Sequence, residues 1–221
     1  DFKAVAGSAG FIGLGAAVAY MDVTGTTQIL IGNTGSISAA KGILAEADLI
    51  ISVNPTADGY AVGWAAVGIA ASRLKVTGKT LVTANRGSKL TSANGDVKLS
   101  AYQKITSTAT TKAASGGYAG SGEATLAFVD VESETKIDSA ANVTAEKGIY
   151  SLLAQQILKA AAESKGLAAA VGVSTGAAIA RLTVKPVVCA AISGGTIKAK
   201  NLVVKALFNV NNDNKYTENG F

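Results

Sequence analysis

Four stretches of this chain close on a comparable short apolar strand, and their spacing constrains the fold more than any other feature. Residues 19–23 (AYMDV), 72–76 (SRLKV), 127–131 (AFVDV) and 180–184 (ARLTV) end in valines that lie 53, 55 and 53 residues apart. Four residues beyond each valine stands Thr27, Thr80, Thr135 or Val188. A second landmark recurs at Ile37, Leu90, Val143 and Ile197. A third ends in alanine, at Ala47, Ala101, Ala154 and Ala206. Three landmarks in register across four copies define an internal repeat, in which each unit packs on its neighbours.

Within each copy the pattern has period two. One face of the first landmark reads Ala17/Ala19/Met21/Val23, Ala70/Ser72/Leu74/Val76, Thr125/Ala127/Val129/Val131 and Ala178/Ala180/Leu182/Val184. The other reads Val18/Tyr20/Asp22, Ala71/Arg73/Lys75, Leu126/Phe128/Asp130 and Ile179/Arg181/Thr183. Side chains alternate across a strand, so the small apolar set is the inward face and the variable set the outward one. Like residues at like positions suit strands stacked copy on copy.

The expected fold is therefore all-β, a parallel β-helix or solenoid of four repeats of about 54 residues. The repeats run approximately over 1–58, 59–113, 114–165 and 166–214, within one segment of a longer chain. At about 18–20 residues per coil this predicts roughly eleven coils and a rod of roughly 50–55 Å, with ~4.8 Å between coils. Residues 151–165 (SLLAQQILKAAAESK), with Gly166 behind them, hold strong helix formers and a helix-ending glycine. The repeat register places their start on a strand, and a helix, if formed, would cover the outside.

Composition removes whole classes of chemistry. The chain has no His and one Cys, so imidazole catalysis, a His-ligated metal, an internal disulfide and a thiolate zinc site are all excluded. A mean hydropathy of +0.33 is ample for a buried core and argues against disorder. The net charge of +5 is modest and dispersed. Lys198, Lys200 and Lys205 approach a basic patch without interleaved aromatics, so they read as a solvated strand face, not a nucleic-acid site. No signal-peptide pattern is read at Asp1, so any secretion signal is expected to lie elsewhere or to have been removed. Uncapped ends should expose strand edges, so the segment is expected to self-associate or to have been excised from a longer chain.

Several motifs carry sharper readings. Residues 5–13 (VAGSAGFIG) resemble the GxxGFIG nucleotide loop of extended short-chain dehydrogenases. No Tyr of this chain has Lys four residues later, however, and the other repeats space their glycines differently. Asp22 and Asp130 share the outward position, which would put them about six coils and near 30 Å apart, too far for paired glycosidase carboxylates. Outward Tyr20, Tyr60 and Phe128, with Trp64, offer either a binding surface or packing against a loop. Cys189, in an apolar strand, is read as a buried inert thiol. Thr-rich stretches such as 106–111 do not recur in register, as an ice-binding ladder would require. No catalytic residue, metal ligand or cofactor-binding residue is assigned, and the chain is read as a non-enzyme.

The succession GLGAAVAYMDV, TTQILIG and GSISAAKGILAEA, with GGTIKAKNLVVKA at 194–206, resembles repeats of very large secreted bacterial surface proteins. These are the filamentous-haemagglutinin-like and leukotoxin-like adhesins, including autotransporter passengers. The resemblance implies a right-handed parallel β-helix at a bacterial cell surface. It also implies an adhesive stalk whose partners are host-cell, bacterial or matrix components and its own neighbouring repeats. It supplies no catalytic residues. The competing readings are an outer-membrane β-barrel and a β-helical carbohydrate-active enzyme.

Overall fold

In a computed structural model, residues 2–210 are described. They are all-β: strand makes up 88% and helix none. The elements are β1 (Phe2–Ile31), β2 (Ser36–Ala39), β3 (Ile43–Val53), β4 (Pro55–Ala84), β5 (Lys89–Ser92), β6 (Val97–Ser139), β7 (Asn142–Ala170), β8 (Val173–Ile192) and β9 (Ile197–Phe208). They form one nine-stranded sheet of order β1-β4-β6-β7-β5-β2, to which β3 and β8 add through β6 and β9 through β7. Every ladder is parallel.

The register is that of the sequence landmarks. Val23 lies opposite Val76, Val76 opposite Val131, and Val131 opposite Val184. Ile37, Leu90, Val143 and Ile197 form a second such row. Ala47, Ala101, Ala154 and Ala206 form a third. One pass of the chain through the ladder therefore consumes a whole repeat, not a third of one. The coil estimate of 18–20 residues fails because the strands are far longer than those of a compact coil: β4 alone runs for 30 residues and β6 for 43. The parallel neighbours β1, β4, β6 and β8, at ~4.8 Å spacing, span about 14 Å, in place of the expected 50–55 Å.

The passes bend back sharply near Phe11, Trp64 and Tyr118. On either side of the bend the backbones approach so closely that a Cβ on Gly59 would collide with the carbonyl oxygen of Ile69, and one on Gly15 with that of Tyr60. Only glycine permits that approach. The interior then widens away from the bend, and side-chain size follows it. Next to the glycines pack Ala17, Ala19, Ala57, Ala70 and Ala113. Beyond them come Leu74, Val76, Ile105, Val129, Val131 and Leu158. The widest part holds Leu90, Leu99, Ile137, Leu152 and Tyr150, whose hydroxyl donates to Ser139 Oγ at 2.6 Å. Burying these faces is what stabilises strands this glycine-rich, at ~25 cal/mol per Å² of apolar area.

Burial agrees with the inward and outward faces read from the alternation. Ala19, Ala70, Leu74, Val76, Ala127 and Val129 are all fully buried. Leu182, at the same column as Leu74, is 40% exposed because β8 has a neighbour, β6, on one edge only.

Residues 151–165 lie in β7 as strand throughout. Leu152, Ala154, Gln156 and Leu158 point inward and are buried, so pairing with β6 overrides a sequence of helix formers. The GxxGFIG stretch is strand and bend within β1, with no helix after it to hold a pyrophosphate. The nucleotide reading fails there.

Candidate binding surface on the outward face

Two outward features stand out, and both arise from stacking unlike residues at one position of successive passes. The first is the bend. Phe11 and Trp64 stack with ring centroids 5.9 Å apart and planes 11° from parallel. Trp64 and Tyr118 follow at 4.9 Å and 36°. Their exposures are 73%, 48% and 60%. The faces of the middle ring are taken by its neighbours, so this column presents ring edges to solvent.

The second feature is a charged grid on the outer side of β1, β4, β6 and β8. One column reads Tyr20, Arg73, Phe128, Arg181, and the next Asp22, Lys75, Asp130, Thr183. Beyond them lie Thr24, Thr77, Glu132, Lys185 and then Thr26, Lys79, Glu134, Val187. Charge thus alternates between passes. Arg73, Lys75 and Lys79 on β4 face Asp130, Glu132 and Glu134 on β6, which in turn face Arg181 and Lys185 on β8. The pairs formed are Lys185–Glu132 at 3.0 Å, Arg73–Asp130 at 3.9 Å and Lys79–Glu134 at 4.0 Å. Lys185 donates to Glu132 and, with its charge, holds that carboxyl below the usual range. Exposed pairs of this kind add ~0–1 kcal/mol each. With the cations of these columns on β4 and β8 and the anions on β6, the charges favour these strands as neighbours.

Between Arg73, Phe128, Asp130 and Arg181 the grid opens into a recess of ≈ 360 Å³. Asp130 leans toward Arg73, and Arg181 has no ion-pair partner among the described residues.

The residues singled out from the sequence divide between these features in a way that local spacing does not reveal, because a pass is longer than the coil estimate. Asp22 and Asp130 are not near 30 Å apart. They flank Lys75, two strands from each other, about 10 Å by strand spacing. Tyr20 and Phe128 share a column with Arg73 between them. Trp64 stands at the bend, and Tyr60 lies on the part of β4 that leads into it, 42% exposed. Phe11 and Tyr118, the stacking partners of Trp64, and Arg73 and Arg181, the flanks of Phe128, were not singled out. Reading each position against its equivalents 53–55 residues away would have found all four.

Cys189 is not a buried core thiol. It is free and half-exposed at an outward position opposite Lys136, because the alternation of β8 turns Val188 and Ala190 inward. Among the described residues no three acidic or thiol side chains come together as a metal site. No helix of the described residues is long and apolar enough to cross a membrane.

No protein-family model matches this chain, and neither a curated protein nor a solved structure matches it.

Proposed function

We propose that this chain is a structural and adhesive β-solenoid module of an extracellular bacterial surface protein, with a right-handed winding of four repeats. The observation that carries the reading is the ladder offset of one whole repeat, Val23 to Val76 to Val131 to Val184. It keeps inward residues alike from pass to pass and leaves outward residues free to vary, the division of labour of a stalk that displays contacts. The exposed bend aromatics and the charged grid are the contacts in this reading. Its partners are host-cell, bacterial or matrix components. The single-sided edges of β1 and β8 are where neighbouring repeats or a second copy would add.

The reading has less to set against it than its rivals. Outer-membrane barrels pair antiparallel neighbours, whereas the ladders here are parallel. A glycosidase needs a carboxyl raised into the acid role. Glu123, whose carboxyl burial raises, stands at the inward position shared with Gly68 and Gly176, away from the outer face. In the proposed reading the module is a non-enzyme.

Beads coated with the chain should be retained on cultured host cells, bacteria or matrix-coated plates, and soluble chain should compete them off. Retention no greater than that of albumin-coated beads on all three surfaces would sink the adhesive reading.

A further inference from the structure

We propose that the recess formed by Arg73, Phe128, Asp130 and Arg181 is a binding site for a carboxylate-bearing pyranose, a sugar acid. The proposal rests on the adhesive reading above, in which the outward face makes the contacts. The recess is lined by Phe128 on β6 and by arginines on the strands at either side. Those strands are about 10 Å apart, which leaves room for one six-membered sugar ring between the two guanidinium groups.

Each residue has a part fitted to that ligand. Arg181 is exposed and has no ion-pair partner among the described residues, so its planar fork is available to take a carboxylate through two hydrogen bonds. Arg73 is already engaged, at a long 3.9 Å, with Asp130. Phe128 is partly buried, and the face of its ring carries the negative side of an aromatic quadrupole, which attracts the polarised C–H groups of a pyranose. Asp130 accepts hydrogen bonds from sugar hydroxyls. Its charge also selects against a doubly charged anion such as sulfate, which in addition offers nothing to the aromatic ring. A neutral sugar would leave Arg181 unsatisfied.

The test is saturation-transfer NMR on the full chain with D-glucuronate, and with D-glucose and inorganic sulfate as the neutral and ring-free counterparts. Sulfate has no protons, so it enters as a competitor. Glucuronate should receive saturation at least about fivefold more strongly than glucose, and equimolar sulfate should displace little of it. Arg181→Gln and Phe128→Leu should each reduce the glucuronate response about fivefold or more while the circular dichroism spectrum and melting temperature stay at wild-type values. Arg181 is outward and unpaired, so folding does not depend on it. Equal responses to glucose and glucuronate, or an unchanged response in Arg181→Gln, would overturn the site. Retention of beads on cells separates the two levels. Beads held on cells while glucuronate gives no response would overturn this site and leave adhesion standing. A glucuronate response that both variants lose, without retention on any surface, would support the site and remove adhesion.

Discussion

Gln156 donates its side-chain amide to Oε1 of Gln103 at 3.0 Å, one strand away, and neither side chain touches solvent. The hydroxyl of Thr135 donates to the same oxygen at 3.3 Å. The column they occupy is bounded by Leu49 on one side and Phe208 on the other. Gln103→Leu alone therefore strands two buried donors and should cost about 1–3 kcal/mol. The double variant Gln103→Leu, Gln156→Leu replaces the amide pair by apolar side chains that match the Leu49 position. Urea unfolding should show it losing clearly less than the sum of the single changes. Strict additivity would mean that the amides do not act as a pair.

Close approach at the bend gives a sharper contrast. A Cβ at Gly59 meets backbone, which cannot swing aside as a side chain would, whereas a Cβ at Gly7 meets nothing within 4 Å. Gly59→Ala should lower stability by about 3 kcal/mol. Gly7→Ala should stay within about 0.5 kcal/mol of wild type. Comparable denaturation midpoints for the two would show that the halves of a pass do not touch at Gly59.

Glu123 occupies space that a Cβ on Gly166 or Gly176 would otherwise claim, and its Oε2 is buried without a hydrogen-bond partner. Burial raises its carboxyl above the ordinary glutamate range. A raised folded-state value favours the protonated form. Its contribution to stability is then full below the unfolded value and is lost as pH rises through the folded one. Glu123→Gln should accordingly melt ~2 °C above wild type at pH 7, with the gap closing as the pH falls toward 4. Asp96 and Glu132 act with the opposite sign. The Ile149 backbone N–H and Lys98 lower the first, and Lys185 lowers the second, so their contributions fade as pH falls. A constant gap between the Glu123 variant and wild type across this range would count against the buried carboxyl.

Trp64 is the single tryptophan of the chain and sits between Phe11 and Tyr118. Its fluorescence reports the stack directly. Phe11→Ala and Tyr118→Ala should each shift the emission to longer wavelength as one face of the indole becomes wet, and each should cost about 0.5–1.5 kcal/mol. Unchanged emission in both variants would show that the three rings do not form a column.

The two faces of β6 can be separated with neighbouring residues. Val131 is 1% exposed among Val76, Val129 and Leu158. Val131→Asp buries an unpaired charge there and should abolish cooperative unfolding. Asp130→Lys loses the long Arg73 pair and brings a cation beside Lys75, yet it remains outward and should cost about 1 kcal/mol or less. Equal losses would reverse the assignment of the faces.

Strand character, the two faces and the register of the ladders are all legible in the residues alone. They are properties of period: alternation by two sets which side chains turn inward, and the spacing of Val23, Val76, Val131 and Val184 sets what lies opposite what. How much chain one pass consumes is a matter of long-range packing. The circumference depends on where the backbone bends, and the glycines that permit bends are scattered along every repeat. Only the approach of Gly59 to Ile69 across the interior identifies the bend that is used. From that circumference follows the nearness of Asp22 to Asp130, whereas the strand state of residues 151–165 comes from pairing with β6 and the outward position of Cys189 from the alternation of β8. The circumference also brings Arg73, Phe128 and Arg181 into one recess, which no local stretch of sequence contains.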